Sequence, residues 1–151
     1  MKRTGDEARR LRSRQRTEKV FLDANVLYSA AYLAGTRLGD LWKLSGVQIV
    51  SSAYAVEEAK RNLASDRPEA VARLDRLLQT IKVVSEAADA ELPIELDSKD
   101  RPVLLAAIAA SADYLLIGDR THFGHLYDSK VRGVRILLPA DYLNRRGPGR
   151  R

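Results

Sequence analysis

Five short apolar runs alternate along the chain with longer segments of helical periodicity, and this alternation most constrains the fold. The runs are rich in Val, Ile and Leu, as buried strands are. They cover about residues 19–23, 47–50, 81–84, 114–117 and 134–137. Strands that alternate with helices pair in parallel, and helices then cover both faces of the sheet. The sequence therefore predicts an α/β fold: a three-layer α/β/α sandwich with a parallel sheet of about five strands.

Apolar side chains at helical spacing predict the connecting helices. These helices are expected at about 26–44 in two pieces, 52–63, 68–78, 101–112 and 139–143. The segment 101–112 is apolar on almost every face, so we expect it to be buried. The segment 85–99 is acidic and contains proline, so we expect a loop there.

The chain contains no cysteine among its 151 residues. Disulfides, zinc–thiolate sites and thiol nucleophiles are therefore excluded. A chain of this length forms one domain of ordinary size. No apolar run approaches the length of a membrane span, and the Arg-rich N-terminus lacks the apolar core of a secretory signal. These features predict a cytoplasmic protein.

Positive charge is concentrated at the two ends of the chain. The net charge is +6, with +5 in residues 1–19, +4 in residues 145–151 and −3 between them. We expect a flexible basic arm at 1–17, a folded domain at 18–144 and a basic tail at 145–151. Basic tails on a mildly acidic body suggest a polyanionic partner, although short basic termini can also be solvated segments without a partner.

Acidic residues occur where predicted strands lead into predicted helices. Asp23 ends the first run, and Glu57 and Glu58 lie early in the helix after the second run. Asp100 directly precedes the apolar helix, and Asp119 follows the fourth run. Because ligands of open α/β sheets lie at the carboxyl ends of the strands, we expect these acids to meet at one edge.

Crowded carboxylates repel one another and lose hydration, so a cation is needed among them. A set of oxygen ligands without His or Cys suits Mg²⁺ or Mn²⁺ rather than Zn²⁺. Such a metal activates water or stabilises the oxygens of a phosphodiester. The pattern thus predicts metal-dependent phosphodiester hydrolysis.

Each acid also has a simpler interpretation. Asp23 and Asp100 are suited to capping the helices that follow them, and Asp119 to a turn. One of the two glutamates is expected to face solvent. Asn25 would lie on the same side as Asp23 if the chain stayed extended beyond the first strand.

Four segments resemble motifs of the PIN-domain family, which includes VapC-like toxins. They lie at residues 20–26, 52–63, 97–103 and 113–123. The resemblance covers about residues 19–143. It implies a parallel-sheet sandwich, an acid cluster that binds Mg²⁺ or Mn²⁺, and endonuclease cleavage of RNA that leaves a 5′-phosphate.

The resemblance also implies roles for individual residues. Asp23, Glu58, Asp100 and Asp119 match the catalytic acids, and the three aspartates match the metal ligands. Glu57 is the alternative to Glu58. The supporting positions are Asn25, Glu57 and Arg120, which could bind phosphate as a forked donor.

One position departs from the family pattern. Many relatives carry Thr or Ser before the Gly-Asp pair of the last motif, whereas this chain has Ile117. This departure favours an alternative function, a catalytically weak PIN scaffold that binds RNA or protein. His122 and His125 follow closely; we interpret them as structural, with proton transfer as the alternative.

The family resemblance implies partners as well. RNA is the expected substrate, a small cognate antitoxin is expected to block the acidic pocket if the chain is a toxin, and homodimers are common in the family.

Overall fold

The computed structural model describes residues 17–85 and 94–146. The predicted arm up to residue 16, the tail from residue 147 and residues 86–93 of the predicted loop lie outside the described residues. Among the residues described, no helix combines the length and apolarity that crossing a membrane requires.

Within these ranges, six strands form one sheet. They are β1 (Glu18–Leu22), β2 (Val47–Ser52), β3 (Lys82–Val84), β4 (Tyr114–Leu116), β5 (Lys130–Val131) and β6 (Val134–Leu137). The order in the sheet is β3-β2-β1-β4-β6-β5, and every pair is parallel except β5–β6.

The helices occupy the connections that the sequence predicts. They are α1 (Ala24–Tyr32), α2 (Ala53–Asp66), α3 (Val71–Leu78), α4 (Arg101–Ala109) and α5 (Pro139–Arg146). The second predicted piece after β1 is a 3₁₀ helix at Arg37–Lys43, not an α-helix. Further 3₁₀ turns cover Pro68–Ala70, Arg120–His122 and Gly124–Leu126.

The predicted α/β sandwich is confirmed, with one additional strand. β5 has only two residues, too few to show a strand pattern in the sequence. It pairs with β6 through Arg132 and Gly133, both of which have positive φ. A two-residue loop with positive φ at both positions matches the twist of a hairpin, and it adds an antiparallel edge to the parallel sheet.

Strand residues alternate between two cores, one on each face of the sheet. Val20 and Leu22 of β1 pack with α1, α2, α3 and α5, whereas Phe21 packs with α4. Leu104 of α4 is fully buried, as its apolar surroundings in the sequence predict. The sheet is thereby covered on both faces, which fixes the strand ends that carry the candidate site.

The last helix is tied to the sheet by two arginines of the predicted basic tail. Arg145 lies 2.6 Å from a carboxylate oxygen of Asp128. Arg146 lies 3.0 Å from Glu18 at the start of β1. These two charges therefore belong to the folded domain.

The direction of chain progression reverses between β1 and β4. From β1 the chain adds β2 and then β3 on one side, and it then crosses to place β4 on the other side of β1. A crevice forms where neighbouring connections diverge in this way, outside the carboxyl ends of the two strands. Asp23 follows β1 and Asp119 lies three residues beyond β4, so both flank this crevice.

Candidate active site

Asp23 lies at the junction of β1 and α1 and holds both together. Its Oδ1 accepts a hydrogen bond from the Val26 N–H at 3.0 Å, which caps α1. Its Oδ2 accepts from the Gly118 N–H at 3.3 Å, across the crevice. Asn25 already belongs to α1, so the extended geometry that would align it with Asp23 does not form.

Gly118 allows the loop after β4 to approach α1 closely. A Cβ atom at this position would lie 2.6 Å from the Cβ of Asn25, far inside van der Waals contact. A side chain at position 118 would therefore push the loop away from α1. Because Gly118 has no side chain, the loop stays close to α1 and Asp119 lies beside the crevice.

Asp119 is oriented by Thr121. Its Oδ1 accepts from the Thr121 N–H at 2.9 Å and from the Thr121 hydroxyl at 2.7 Å. These bonds cap the 3₁₀ turn Arg120–His122 and lower the pKa of Asp119. The turn interpretation of Asp119 is therefore compatible with a place beside the crevice.

Asp100 occupies the position before α4, but in the described structure its side chain makes no capping hydrogen bond. The side chain is only 12% exposed, and its Oδ1 lies 3.5 Å from Nδ1 of His122. The other ring nitrogen of His122 lies 3.9 Å from Oδ2 of Asp119. His122 thus stands between two predicted site acids, a contact that the sequence did not reveal.

The two glutamates of α2 differ in exposure. The side chain of Glu57 is 79% exposed and lies 3.9 Å from Arg61, one helical turn away. Glu58 is half-buried. The structure therefore points Glu57 towards solvent and favours Glu58 as the glutamate with a less solvated environment.

Burial opposes ionisation at two of the acids. Burial, with a smaller contribution from the charge of Asp100, raises the pKa of Asp23 from 3.8 to about 6, although its backbone hydrogen bonds act in the opposite direction. Burial likewise raises the pKa of Asp100, against the nearby His122. A cation bound between these carboxylates would relieve both penalties.

The donor set fits a hard divalent cation held by few protein ligands. Among residues 17–85 and 94–146, no three or more His, Asp or Glu side chains are grouped so as to hold a metal. Mg²⁺ commonly takes only one or two carboxylates and keeps several waters. Asp23 and Asp100, whose charges interact, are the two residues that would hold such a cation, together with Asp119.

Three further residues, Ile117, Arg120 and Thr121, adjoin the site. Ile117 is fully buried in the core beside α4, so the hydroxyl at this end of the site comes from Thr121. The guanidinium of Arg120 stacks over the ring of Tyr127, with its Cζ 4.5 Å from the ring centre. The preference of Thr for short turns could have pointed to Thr121 from the sequence. Its hydrogen bond to Asp119, however, depends on how the chain folds.

Residues 19–121 match the sequence model of the PIN domain. The fold is similar to the crystal structure of Mycobacterium tuberculosis VapC20, a Sarcin-Ricin loop cleaving toxin. The TM-score is 0.51 at 15% identity, over 66% of this chain and 89% of the other. No curated protein matches the chain.

Proposed function

Because the chain belongs to the PIN-domain family, a family of nucleases, we propose that it is a metal-dependent endoribonuclease. It would hydrolyse RNA phosphodiester bonds with Mg²⁺ or Mn²⁺ as cofactor. The observation that carries this proposal is the pair Asp23 and Asp100. Burial disfavours the charge of both carboxylates, and the charge of Asp100 adds to this effect at Asp23, beside the crevice between β1 and β4.

The proposed metal ligands are Asp23, Asp100 and Asp119. When bound there, the cation activates water and stabilises charge on the attacking and leaving oxygens of a phosphodiester. The backbone amides of Val26 and Gly118 keep the Asp23 carboxylate oriented. Each carboxylate oxygen retains a second acceptor direction, so these bonds leave room for a ligand.

The remaining residues position substrate and protons. Glu58, half-buried on α2, is the fourth catalytic acid in the proposal, and Asn25 supports the loop that carries Asp119. Arg120 is held against Tyr127, and its outer N–H groups would donate to a phosphate oxygen. The Arg-rich termini would add attraction to the RNA backbone that does not depend on sequence.

We extend the proposal to the biological context. VapC20, whose fold is similar, is a toxin that cleaves the Sarcin-Ricin loop. This likeness supports the proposal that the chain is the toxin of a toxin–antitoxin pair and acts in the cytoplasm. RNA would be the substrate, a small antitoxin the inhibitor, and a homodimer the assembly.

The direct test is cleavage of a labelled RNA by the full chain. We expect cleavage with Mg²⁺ or Mn²⁺, none in EDTA, and loss of at least about 100-fold in Asp23→Asn, as when a positioned catalytic group is removed. Asp75→Asn is the matched control, because Asp75 is a half-exposed surface residue paired with Lys60. Equal cleavage by the Asp23→Asn variant and the parent would refute the site assignment.

A second candidate is the catalytically weak scaffold that binds RNA or protein. It is favoured by Ile117, which stands where many relatives carry Thr or Ser before the Gly-Asp pair. Calorimetric titration with Mg²⁺ and Mn²⁺ separates the two functions. A nuclease binds the cation at a site that Asp23→Asn removes, whereas a scaffold shows no such site while still binding RNA.

A further inference from the structure

A cleft of about 560 Å³ opens beside the acidic crevice. One wall is the segment 94–97, and the other is formed by residues 121–125, which include His122 and His125. His122 also lies near Asp100 and Asp119. The cleft is therefore adjacent to two of the proposed catalytic acids. Its volume falls in the range of small-ligand sites, about 300–1,000 Å³.

Both walls are fixed to the same core. The backbone carbonyl of Asp97 accepts hydrogen bonds from Asp100 and Arg101 at the start of α4, each at 3.0 Å. The guanidinium of Arg101 donates to the Ile94 carbonyl at 3.2 Å. On the opposite wall, Phe123 is 3% exposed and packs in the core beside α4. The cleft is therefore preformed.

The side chains that line the cleft suit a nucleobase better than a phosphate, because two of them are carboxylates. Glu95 and Asp97 are exposed carboxylates on one wall, and the charge of Asp97 is felt by Asp100. On the other wall, both imidazoles are exposed, and His rings stack on unpaired bases. A ligand here needs an aromatic face for the imidazoles and N–H donors for the carboxylates.

Among the standard RNA bases, guanine presents two adjacent donors, N1–H and the 2-amino group, on its Watson–Crick edge. A carboxylate accepts such a pair with its two oxygens, in the geometry that it uses towards arginine. We propose that this cleft is a guanine-binding subsite for a base next to the scissile phosphate, with Asp97 as the reader. This inference rests on the proposed ribonuclease function and adds a base preference to it.

The test measures binding separately from cleavage. Fluorescence anisotropy in EDTA follows labelled RNA hexamers of uridine that contain one central guanine, adenine or inosine. We expect the guanine hexamer to bind about 10-fold or more tightly than the adenine hexamer, as hydrogen bonds to a charged group allow. Inosine, which lacks the 2-amino group, should fall between them.

Variants locate the preference. Asp97→Asn keeps the backbone carbonyl that starts α4, so it should fold normally by circular dichroism and yet reduce the guanine preference to about 2-fold or less. Asp75→Asn, which neutralises a charge on α3, should leave the preference intact. Equal binding of the three hexamers by the parent, or no binding of any, overturns the proposal, as does a guanine preference that survives in Asp97→Asn.

Cleavage with Mg²⁺ or Mn²⁺ then distinguishes this inference from the proposed function. A guanine preference in EDTA without cleavage of any RNA supports guanine binding in the cleft but refutes the ribonuclease, and with it the place of that base beside a scissile phosphate. Cleavage that is indifferent to the neighbouring base, together with equal hexamer affinities, refutes the subsite and supports the ribonuclease.

Discussion

Replacing Asp23 with asparagine should stabilise the metal-free protein at neutral pH. Burial raises the pKa of Asp23 from 3.8 to about 6 in the folded state. Each pKa unit corresponds to about 1.4 kcal/mol, so ionised Asp23 lowers the free energy of unfolding by about 3 kcal/mol. Asparagine still caps Val26 but directs its NH₂ group at the Gly118 N–H, which costs about 1 kcal/mol. The net gain expected near pH 7.5 is about 2 kcal/mol.

The pH dependence identifies Asp23 as the cause. Below its unfolded pKa of 3.8 the carboxyl is protonated in both states and contributes nothing. Between about pH 4 and 6 the unfolded state releases the proton while the folded state keeps it, so the free energy of unfolding falls as the pH rises. Above about pH 6 the penalty is constant. The advantage of the variant should therefore grow across this window and then level off.

Urea unfolding in EDTA at pH 4, 5, 6 and 7.5 measures this difference for the parent and Asp23→Asn. Asp75→Asn serves as the control, since exposed pairs contribute less than about 1 kcal/mol, and its effect should stay below that size at all four pH values. A difference between Asp23→Asn and the parent that stays within about 0.5 kcal/mol at all four pH values would refute the buried-carboxylate argument. Added Mg²⁺ should stabilise the parent through binding to the folded state and leave Asp23→Asn unchanged.

Five further variants test three parts of the site by RNA cleavage with Mg²⁺. Glu58→Gln should lower kcat by about 100-fold or more, whereas Glu57→Gln should stay within about 2-fold of the parent; the reverse order would reassign the glutamate. Thr121→Val removes the 2.7 Å hydroxyl bond to Asp119 and should lower kcat/KM by about 10-fold, with Thr121→Ser restoring most of it; no recovery would point to packing instead. Gly118→Ala places a methyl group where the facing Cβ is 2.6 Å away and should cost about 100-fold in kcat by displacing the loop, while circular dichroism remains unchanged. Full activity would show that the loop tolerates the shift.

The order and type of the main elements could be predicted because apolar periodicity is local. The run at 19–23 and the apolar helix at 101–112 each carry their own signal, and both occur near the expected positions. The two-residue β5 could not be found in this way, because it exists through its pairing with β6. The same holds for Arg145 and Arg146, whose place in α5 is stabilised by the distant Asp128 and Glu18.

The roles of the site acids were harder to predict because a cap and a ligand use the same residue types. Asp100 has the sequence of a helix cap, yet its side chain forms no cap in the described structure and faces His122. Asp23 has the sequence of a strand-end ligand, yet it caps α1. Which oxygen meets which N–H depends on rotamers and on distant loops, and one sequence does not show these.

The proposed cation site has its physical basis in the two buried aspartates, Asp23 and Asp100. Backbone N–H groups favour the ionised form of Asp23, yet burial outweighs them and its pKa still rises. Asp100 has no helix-capping bond to offset its own burial within the described structure. Further hydrogen bonds to Asp23 would not remove the repulsion between the two carboxylates. Each such bond favours the negative charge of Asp23, and that charge is the one that Asp100 repels. A divalent cation favours both charges at once, and we infer that the metal-free fold bears an electrostatic cost that binding releases.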